Sequence, residues 1–123
     1  MKKNSSTRTL VAVLDGIRSV HNVGSIFRTA DAAGVSGVYL CGVTPSPADR
    51  FGRTRSDFKK VSLGAENNVV WEAYKHTSRC VRHLRDNGFF VCALEQHTRS
   101  KNIYVAGSVP RSARKNSDLK LRL

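Results

Sequence analysis

Short apolar runs alternate with a segment of helical periodicity in the first third of the chain. The valine-rich run Leu10–Leu14 ends at an Asp-Gly pair and predicts a buried strand. Apolar residues at helical spacing predict a helix over about Val23–Ala33, with Gly34 as its stop. A second apolar run, Gly37–Val43, predicts another buried strand. Strand, helix and strand in close succession predict a right-handed crossover and therefore a parallel sheet.

The pattern continues with a loop, a helix and a strand. Thr44–Lys60 contains prolines and many basic residues, and it predicts a long loop. Glu72–Asp86 predicts a second helix, and Phe89–Leu94 predicts a third strand of the same sheet, centred on Phe90–Ala93. The inner face of that helix is expected to carry Ala73, Cys80, Val81 and Leu84. The expected fold class is α/β, a thin parallel sheet with flanking helices.

The pattern stops near His97. Residues 1–96 are therefore expected to form the domain, and residues 97–123 a basic and poorly ordered tail. Within the tail, Ile103–Ala106 is a weak apolar patch that allows a fourth strand.

The charge of the chain favours a polyanionic partner. Twenty-one Lys and Arg residues stand against nine Asp and Glu residues, which gives a net charge of +12. Nucleic acid is the commonest partner of so basic a chain, and a protein that is basic without such a partner is the alternative.

Cysteine usage and hydropathy point to the cytoplasm. The three cysteines form no C-x-x-C pair, and Cys41 and Cys92 lie in apolar runs. Buried reduced thiols are therefore expected, rather than metal ligands or nucleophiles. No apolar run has the length of a membrane span, and the basic start of the chain is not followed by a signal-peptide core, so no membrane partner is expected.

Basic residues cluster in and near the long loop. They are suited to phosphate contacts that position RNA without reading its sequence. The candidates are Arg18, Arg50, Arg53, Arg55, Lys59 and Lys60. Phe51 and Phe58 lie among them, and core packing is favoured for both over stacking on an unpaired base.

The opening helix carries the candidate chemistry. Asn22 is a natural N-cap, and Gly24 lets another backbone or a phosphate approach closely. Arg28 lies off the apolar stripe, and helical side chains lean toward the N-terminus, so its guanidinium is expected to reach back toward Asn22. Such convergence at the carboxyl edge of a parallel sheet favours a ligand site. An ordinary cap with a surface arginine remains the alternative.

The segment "LDGIRSVHNVGSIFRTADAAGV" resembles the first motif of the SpoU (TrmH-like) RNA 2′-O-ribose methyltransferases, N-x-G-x-x-x-R-x-A-x-x-x-G. The resemblance continues through "GVYLCGVTP", "KKVSLGAENNVVWE" and "GFFVCALEQ". It implies methyl transfer from S-adenosylmethionine to a ribose 2′-hydroxyl of tRNA or rRNA. It also implies a knotted, dimeric SPOUT-type fold, with Asn22 and Arg28 as catalytic residues.

The chain departs from this family after Gln96. The family's donor site is built mostly from a G-N-E turn and an S-L-N-V-S segment, and neither follows Gln96. Only Leu94, Glu95 and Gln96 correspond to part of the donor pocket. We therefore expect a SPOUT-type domain without its C-terminal knot segments and with an incomplete donor site, as a frameshift near residue 97 would produce.

Two other functions follow from the same residues. A non-catalytic basic RNA-binding module is the alternative to the methyltransferase. A nucleotide-binding oxidoreductase is disfavoured, because no G-x-G-x-x-G follows the first strand.

Overall fold

A three-stranded parallel sheet organises the first of two units. The computed structural model of the chain describes residues 9–96, 98–102 and 119–122, and it divides into units Met1–Thr77 and Ser78–Leu123. In the first unit, β1 (Val11–Asp15), β2 (Gly37–Cys41) and β3 (Trp71–Tyr74) lie in the order β1-β2-β3 and are parallel. The predicted α/β fold class and parallel crossover are confirmed.

Two helices and a short 3-10 turn accompany this sheet. Helix α1 (Val20–Ala33) connects β1 to β2, and it ends at Gly34, whose left-handed backbone has φ of 71°. Helix α2 (Ser56–Ser62) and the 3-10 turn Ala65–Asn67 lie between β2 and β3. The end of α1 at a left-handed glycine is the stop that the sequence predicts.

The core of this unit lies where α1 meets the sheet and α2. Val23 and Phe27 on α1 are fully buried in one cluster with Leu40 of β2 and Phe58 of α2. The rings of Phe27 and Phe58 pack edge to face, with centroids 5.1 Å apart and planes at 86°. This is a favoured geometry for two aromatic rings, so the pair fixes α2 against α1.

The second unit contains one helix and a separate parallel sheet. Helix α3 (Thr77–Asp86) begins at the last residue of the first unit, and Cys80 and Leu84 are buried, as predicted. The sheet contains β4 (Cys92–Leu94), β5 (Lys101–Asn102) and β6 (Leu119–Arg122) in the order β4-β6-β5. The segment predicted as a tail therefore contributes two strands, while Ile103–Ala106 lies outside the described residues.

The predicted helix Glu72–Asp86 is wrong in its first part. Trp71–Tyr74 forms β3 and pairs with β2, so Ala73 belongs to a strand and is exposed. β-Branched and aromatic residues around this position favour a strand over a helix, and pairing with β2 fixes that choice. The third predicted strand also differs, because β4 begins at Cys92 and pairs with β6 in a separate sheet instead of belonging to the first one.

The predicted loop Thr44–Lys60 is wrong at its end, where α2 begins at Ser56. Phe58 and Ser62, four residues apart, are both buried and give this short helix an inner face. Phe58 is a core residue, as predicted. Phe51 is not, because it is 65% exposed.

The three cysteines are free thiols. Cys41 and Cys80 are buried, but Cys92 is exposed, so the prediction of burial is wrong for Cys92. Its strand, β4, is exposed at both ends, and an apolar run does not itself show which side of a strand is covered. None of the helices in the described ranges combines the length and the hydropathy of a membrane span.

A buried polar pair joins α2 to the 3-10 turn. The Ser62 hydroxyl donates a hydrogen bond to Glu66 Oε2, and both side chains are buried. The other carboxyl oxygen, Oε1, is buried without a hydrogen-bond partner among the described residues. A buried carboxyl group with one satisfied oxygen depends strongly on that single donor.

The substitution Ser62→Ala should therefore lower the free energy of unfolding by about 1–3 kcal/mol. The double variant Ser62→Ala/Glu66→Leu should recover most of that loss, because it removes the carboxyl group as well. Urea denaturation measures both, with the exposed Ser56→Ala as the control in the same helix. A loss for Ser62→Ala no larger than that for Ser56→Ala would contradict the importance of this pair.

Candidate functional site

A buried threonine ties together the carboxyl ends of β1 and β2. The Thr44 hydroxyl lies 2.8 Å from the Cys41 carbonyl oxygen and 3.1 Å from the Leu14 carbonyl oxygen. It accepts a hydrogen bond of 3.1 Å from the Ile17 amide. The backbone that leads from β1 into α1 is thereby fixed at the edge where open parallel sheets bind ligands.

Helix α1 begins earlier than the sequence predicts. Ser19 is the N-cap, with φ of −76° and ψ of 117°, and its hydroxyl accepts a hydrogen bond of 3.1 Å from the Asn22 amide. The prediction of Asn22 as the cap is wrong, because serine is an equally good cap and stands directly before the apolar Val20. The Asn22 side chain is exposed in the first turn and has no hydrogen-bond partner among the described residues.

Arg28 lies on the exposed side of α1 and lines an open groove between this helix and the end of α2. The groove has a volume of about 700 Å³. Its lining residues are Ser25, Arg28, Thr29, Asp31 and Ala32 of α1, with Ser62, Leu63 and Ala65 opposite. Within the described ranges, the Arg28 guanidinium makes no hydrogen bond and no ion pair. It is therefore available to a ligand.

Asn22 and Arg28 occupy different faces of α1. Six helical residues separate two positions by about 9 Å along the axis and about 120° around it. Arg28 lines the groove, whereas Asn22 is not among its lining residues. The expectation that both polar groups face one cleft therefore stays a prediction, and it requires the long Arg28 side chain to extend toward the helix start.

Gly24 lies at a close contact between α1 and α2. A Cβ atom at this position would lie 3.0 Å from the Val61 Cβ atom and 3.4 Å from the Ser62 amide nitrogen. The sequence leaves open whether a backbone or a phosphate approaches this glycine. In the structure, the close neighbour is α2, so the absence of a side chain at Gly24 allows the two helices to pack closely.

Ion pairs divide the predicted RNA-binding cations into two groups. Arg53 lies 3.3 Å from the Asp49 carboxylate, and Arg55 lies 2.9 Å from that of Asp57. The hydrogen bond from Arg55 holds the pKa of the Asp57 carboxyl below its usual value. These two arginines are partly neutralised by their neighbours.

The other predicted cations are exposed and form no ion pair with any described residue. They are Arg18 before α1, Arg50 in the loop, and Lys59 and Lys60 on α2. Because they carry uncompensated charge, they are the stronger candidates for phosphate contacts.

The predicted donor residues lie at the end of β4 in the second unit. Leu94 is 60% exposed, and Glu95 and Gln96 are exposed as well. The Ser100 hydroxyl donates a hydrogen bond of 3.0 Å to the Glu95 carbonyl, which closes the turn after the strand. A cofactor pocket normally buries most of its ligand, so these three residues do not by themselves fit a bound S-adenosylmethionine.

The groove wall opposite Arg28 is a candidate functional surface that the sequence patterns do not reveal. Ser62 and Leu63 end α2, and Leu63 adopts a left-handed conformation with φ of 53°. In the sequence, the four-residue spacing of Phe58 and Ser62 is the signal that could indicate this helix. The prolines and charged residues before Phe58 favour the prediction of a loop instead.

Most of the chain matches one protein family. The model of the SpoU rRNA methylase family matches residues 9–116. This range extends beyond Gln96, so the family match includes residues 97–116 of the segment that is predicted to be a basic tail.

Curated relatives show the same resemblance. A protein of Staphylococcus aureus named as a TrmH family tRNA/rRNA methyltransferase is 35% identical over 94 residues, which are 76% of this chain and 36% of the relative. The 23S rRNA (guanosine-2′-O-)-methyltransferase RlmB of Xanthomonas campestris is 33% identical over 71% of this chain and 32% of its own. The chain thus spans about a third of the length of these relatives.

Solved structures share the fold. A structure described as an RNA methyltransferase of the TrmH family from Porphyromonas gingivalis is 28% identical, with a TM-score of 0.65, over 94% of this chain and 41% of that chain. An AdoMet-bound rRNA methyltransferase from Sinorhizobium meliloti is similar in fold alone, with 23% identity and a TM-score of 0.71 over 95% of this chain and 47% of that chain.

The substitution Gly24→Val should destabilise the protein by about 1–3 kcal/mol, because the added side chain forces α1 away from α2. This loss is expected even though valine has the higher helix propensity. Thermal unfolding measures the change, with the exposed Ala33→Val in the same helix as the control. An unchanged melting temperature for Gly24→Val would show that the two helices separate without cost.

Proposed function

Because the chain belongs to the SpoU rRNA methylase family, we propose that it binds tRNA or rRNA and holds a ribose 2′-hydroxyl for methylation. The observation that most supports this proposal is the environment of the Arg28 side chain. It occupies the arginine position of the family motif, lies in an open groove, and has no partner among the described residues. A strong cation without a partner in a groove suits an anionic ligand.

The chemistry needs a cation more than it needs a base at this position. A ribose hydroxyl is a poor nucleophile until its proton leaves or its developing charge is stabilised. The guanidinium is always protonated in proteins, so in this proposal Arg28 orients the hydroxyl and its neighbouring phosphate and stabilises the negative charge that develops on the oxygen as its proton passes to water. Asn22, with both a donor and an acceptor on its side-chain amide, orients the ribose from the helix start.

S-adenosylmethionine would supply the methyl group, and Leu94, Glu95 and Gln96 would contact it. Because these three residues are exposed, other residues must enclose the methyl donor. The roles proposed for Arg28 and Asn22 therefore concern the methyl acceptor, the ribose of the RNA. The same exposure favours the second candidate function, a non-catalytic RNA-binding module that uses the same basic face.

Binding to RNA is electrostatic in this proposal. Lys59 and Lys60 are exposed in the last turn of α2, near the groove wall formed by Ser62 and Leu63. Lysine–phosphate contacts release counterions from the phosphates and do not distinguish bases.

The double variant Lys59→Ala/Lys60→Ala should weaken binding to every RNA by a similar factor. It should also flatten the slope of log K against log salt by about 0.7–0.9 for each phosphate that the variant no longer neutralises. The matched control is Arg55→Ala/Asp57→Ala, which removes an ion pair and leaves the net charge unchanged. Fluorescence anisotropy over a salt series measures both. Weaker binding to one RNA sequence alone would mean that these lysines read bases.

Methyl transfer tests the role of Arg28. Fusing the chain to a family segment that carries the G-N-E and S-L-N-V-S motifs should give tritium transfer from labelled donor into bulk tRNA or rRNA. In that fusion, Arg28→Ala and Arg28→Lys should both lose most activity, because lysine keeps the charge but lacks the planar fork. The unfused chain should remain near background, since a positioned acceptor achieves little without a bound donor.

Full activity of the Arg28→Ala fusion would remove Arg28 from the site. A fusion that binds RNA but never transfers methyl groups would instead support the binding module.

A further inference from the structure

A short hairpin between β2 and α2 holds an aromatic ring in solvent. Residues 47–55, here called the basic hairpin, are joined by an antiparallel bridge between Ala48 and Thr54 and by a hydrogen bond of 2.8 Å from the Arg55 amide to the Pro47 carbonyl. At its tip, Phe51 is 65% exposed.

The tip is held in one conformation by Asp49. One carboxylate oxygen, Oδ1, accepts hydrogen bonds of 2.8 Å from the Phe51 amide and 2.9 Å from the Arg53 amide. The Asp49 amide in turn donates to the Arg53 carbonyl at 2.8 Å. A turn with its backbone groups satisfied in this way loses little conformational entropy when it binds a ligand.

Two guanidinium groups lie over the ring. The Cζ atoms of Arg50 and Arg53 are 4.8 Å and 5.1 Å from the centroid of Phe51, within the range of cation–π contacts. The exposed fraction of Phe51 shows that aromatic surface remains open despite both neighbours. A ring and two planar cations together form a platform on which a further flat π-system can stack.

We propose that Phe51, Arg50 and Arg53 form a stacking site for one unpaired base of the RNA substrate. This site presupposes the RNA binding proposed above and adds a preference for single-stranded segments. The ring stacks on the face of the base, and Arg50, which has no ion pair with a described residue, contacts the flanking phosphate.

The chemistry favours an unpaired base over other occupants. A base inside a duplex has both faces covered by its neighbours, whereas a base in a loop or bulge offers one to an aromatic side chain. Stacking tolerates any base, which agrees with a surface that otherwise contacts phosphates. The net charge of +12 draws a polyanion to this surface in preference to an apolar protein segment.

The test compares Phe51→Ala with the wild-type chain on a single-stranded oligoribonucleotide and on a duplex of the same sequence. Affinity for the single strand should fall about tenfold, within the range measured for removal of one base–aromatic stack. Affinity for the duplex should change by less than about twofold, because a duplex offers no open base face. Fluorescence anisotropy gives both, and 2-aminopurine placed in the single strand should lose its binding-induced quenching in the variant.

Three further variants serve as controls. Phe51→Trp should retain single-strand affinity, and Phe51→Leu should behave like Phe51→Ala, because leucine is apolar but has no π face. Val43→Ala, at another residue that is exposed to a similar extent (66%), should have no effect.

Equal decreases in affinity for single strand and duplex would overturn the stacking site, as would no decrease at all or full rescue by leucine. Binding of polyglutamate that depends on Phe51, without a Phe51 effect on RNA, would assign the ring to an acidic protein partner and also overturn it. If the wild-type chain binds no RNA, the proposed function fails together with this site. If it binds RNA but ignores Phe51, only the stacking site fails.

Discussion

The close contact between α1 and α2 is the constraint on which the candidate site depends. Gly24 permits this contact because a side chain there would meet Val61, and the edge-to-face pair Phe27–Phe58 holds it. The groove lies beside this contact, between α1 and the end of α2, and Arg28 lines it. The position of the guanidinium is therefore a consequence of helix packing.

The motif that identifies the family combines two physical roles. Gly24, Ala30 and Gly34 shape the helix, through a close approach, a buried position and a left-handed cap. Asn22 and Arg28 are exposed, and their polar groups have no partner among the described residues. In the proposed function these two residues contact the RNA, and the other three residues position the helix that carries them.

Local sequence patterns predict the elements that are stabilised by interactions between residues close in sequence. They fail for strands whose formation depends on pairing with a segment distant in sequence. The strands β1 and β2, the helix α1 and its stop at Gly34 follow from apolar periodicity and one glycine. The pattern predicts a helix where β3 forms, because the identity of β3 depends on pairing with β2. Likewise, β4 pairs with β6 in Leu119–Arg122, a segment whose composition predicts a tail. Within the site, the family motif identifies Arg28. The groove wall at Ser62 belongs to α2, and the prolines and charged residues before α2 lead to the prediction of a loop instead.

The most direct test of the acceptor site is a nuclear magnetic resonance titration of the chain with a short single-stranded RNA and with its 2′-deoxy counterpart. The resonances of the Asn22 side-chain amide and the Arg28 Nε–H group report on the two ends of the proposed ribose contact. We expect both resonances to shift with RNA and to change much less with the 2′-deoxy strand, because only RNA presents the hydroxyl group. Identical shifts with the two strands, or a titration that leaves both resonances unchanged, would contradict it.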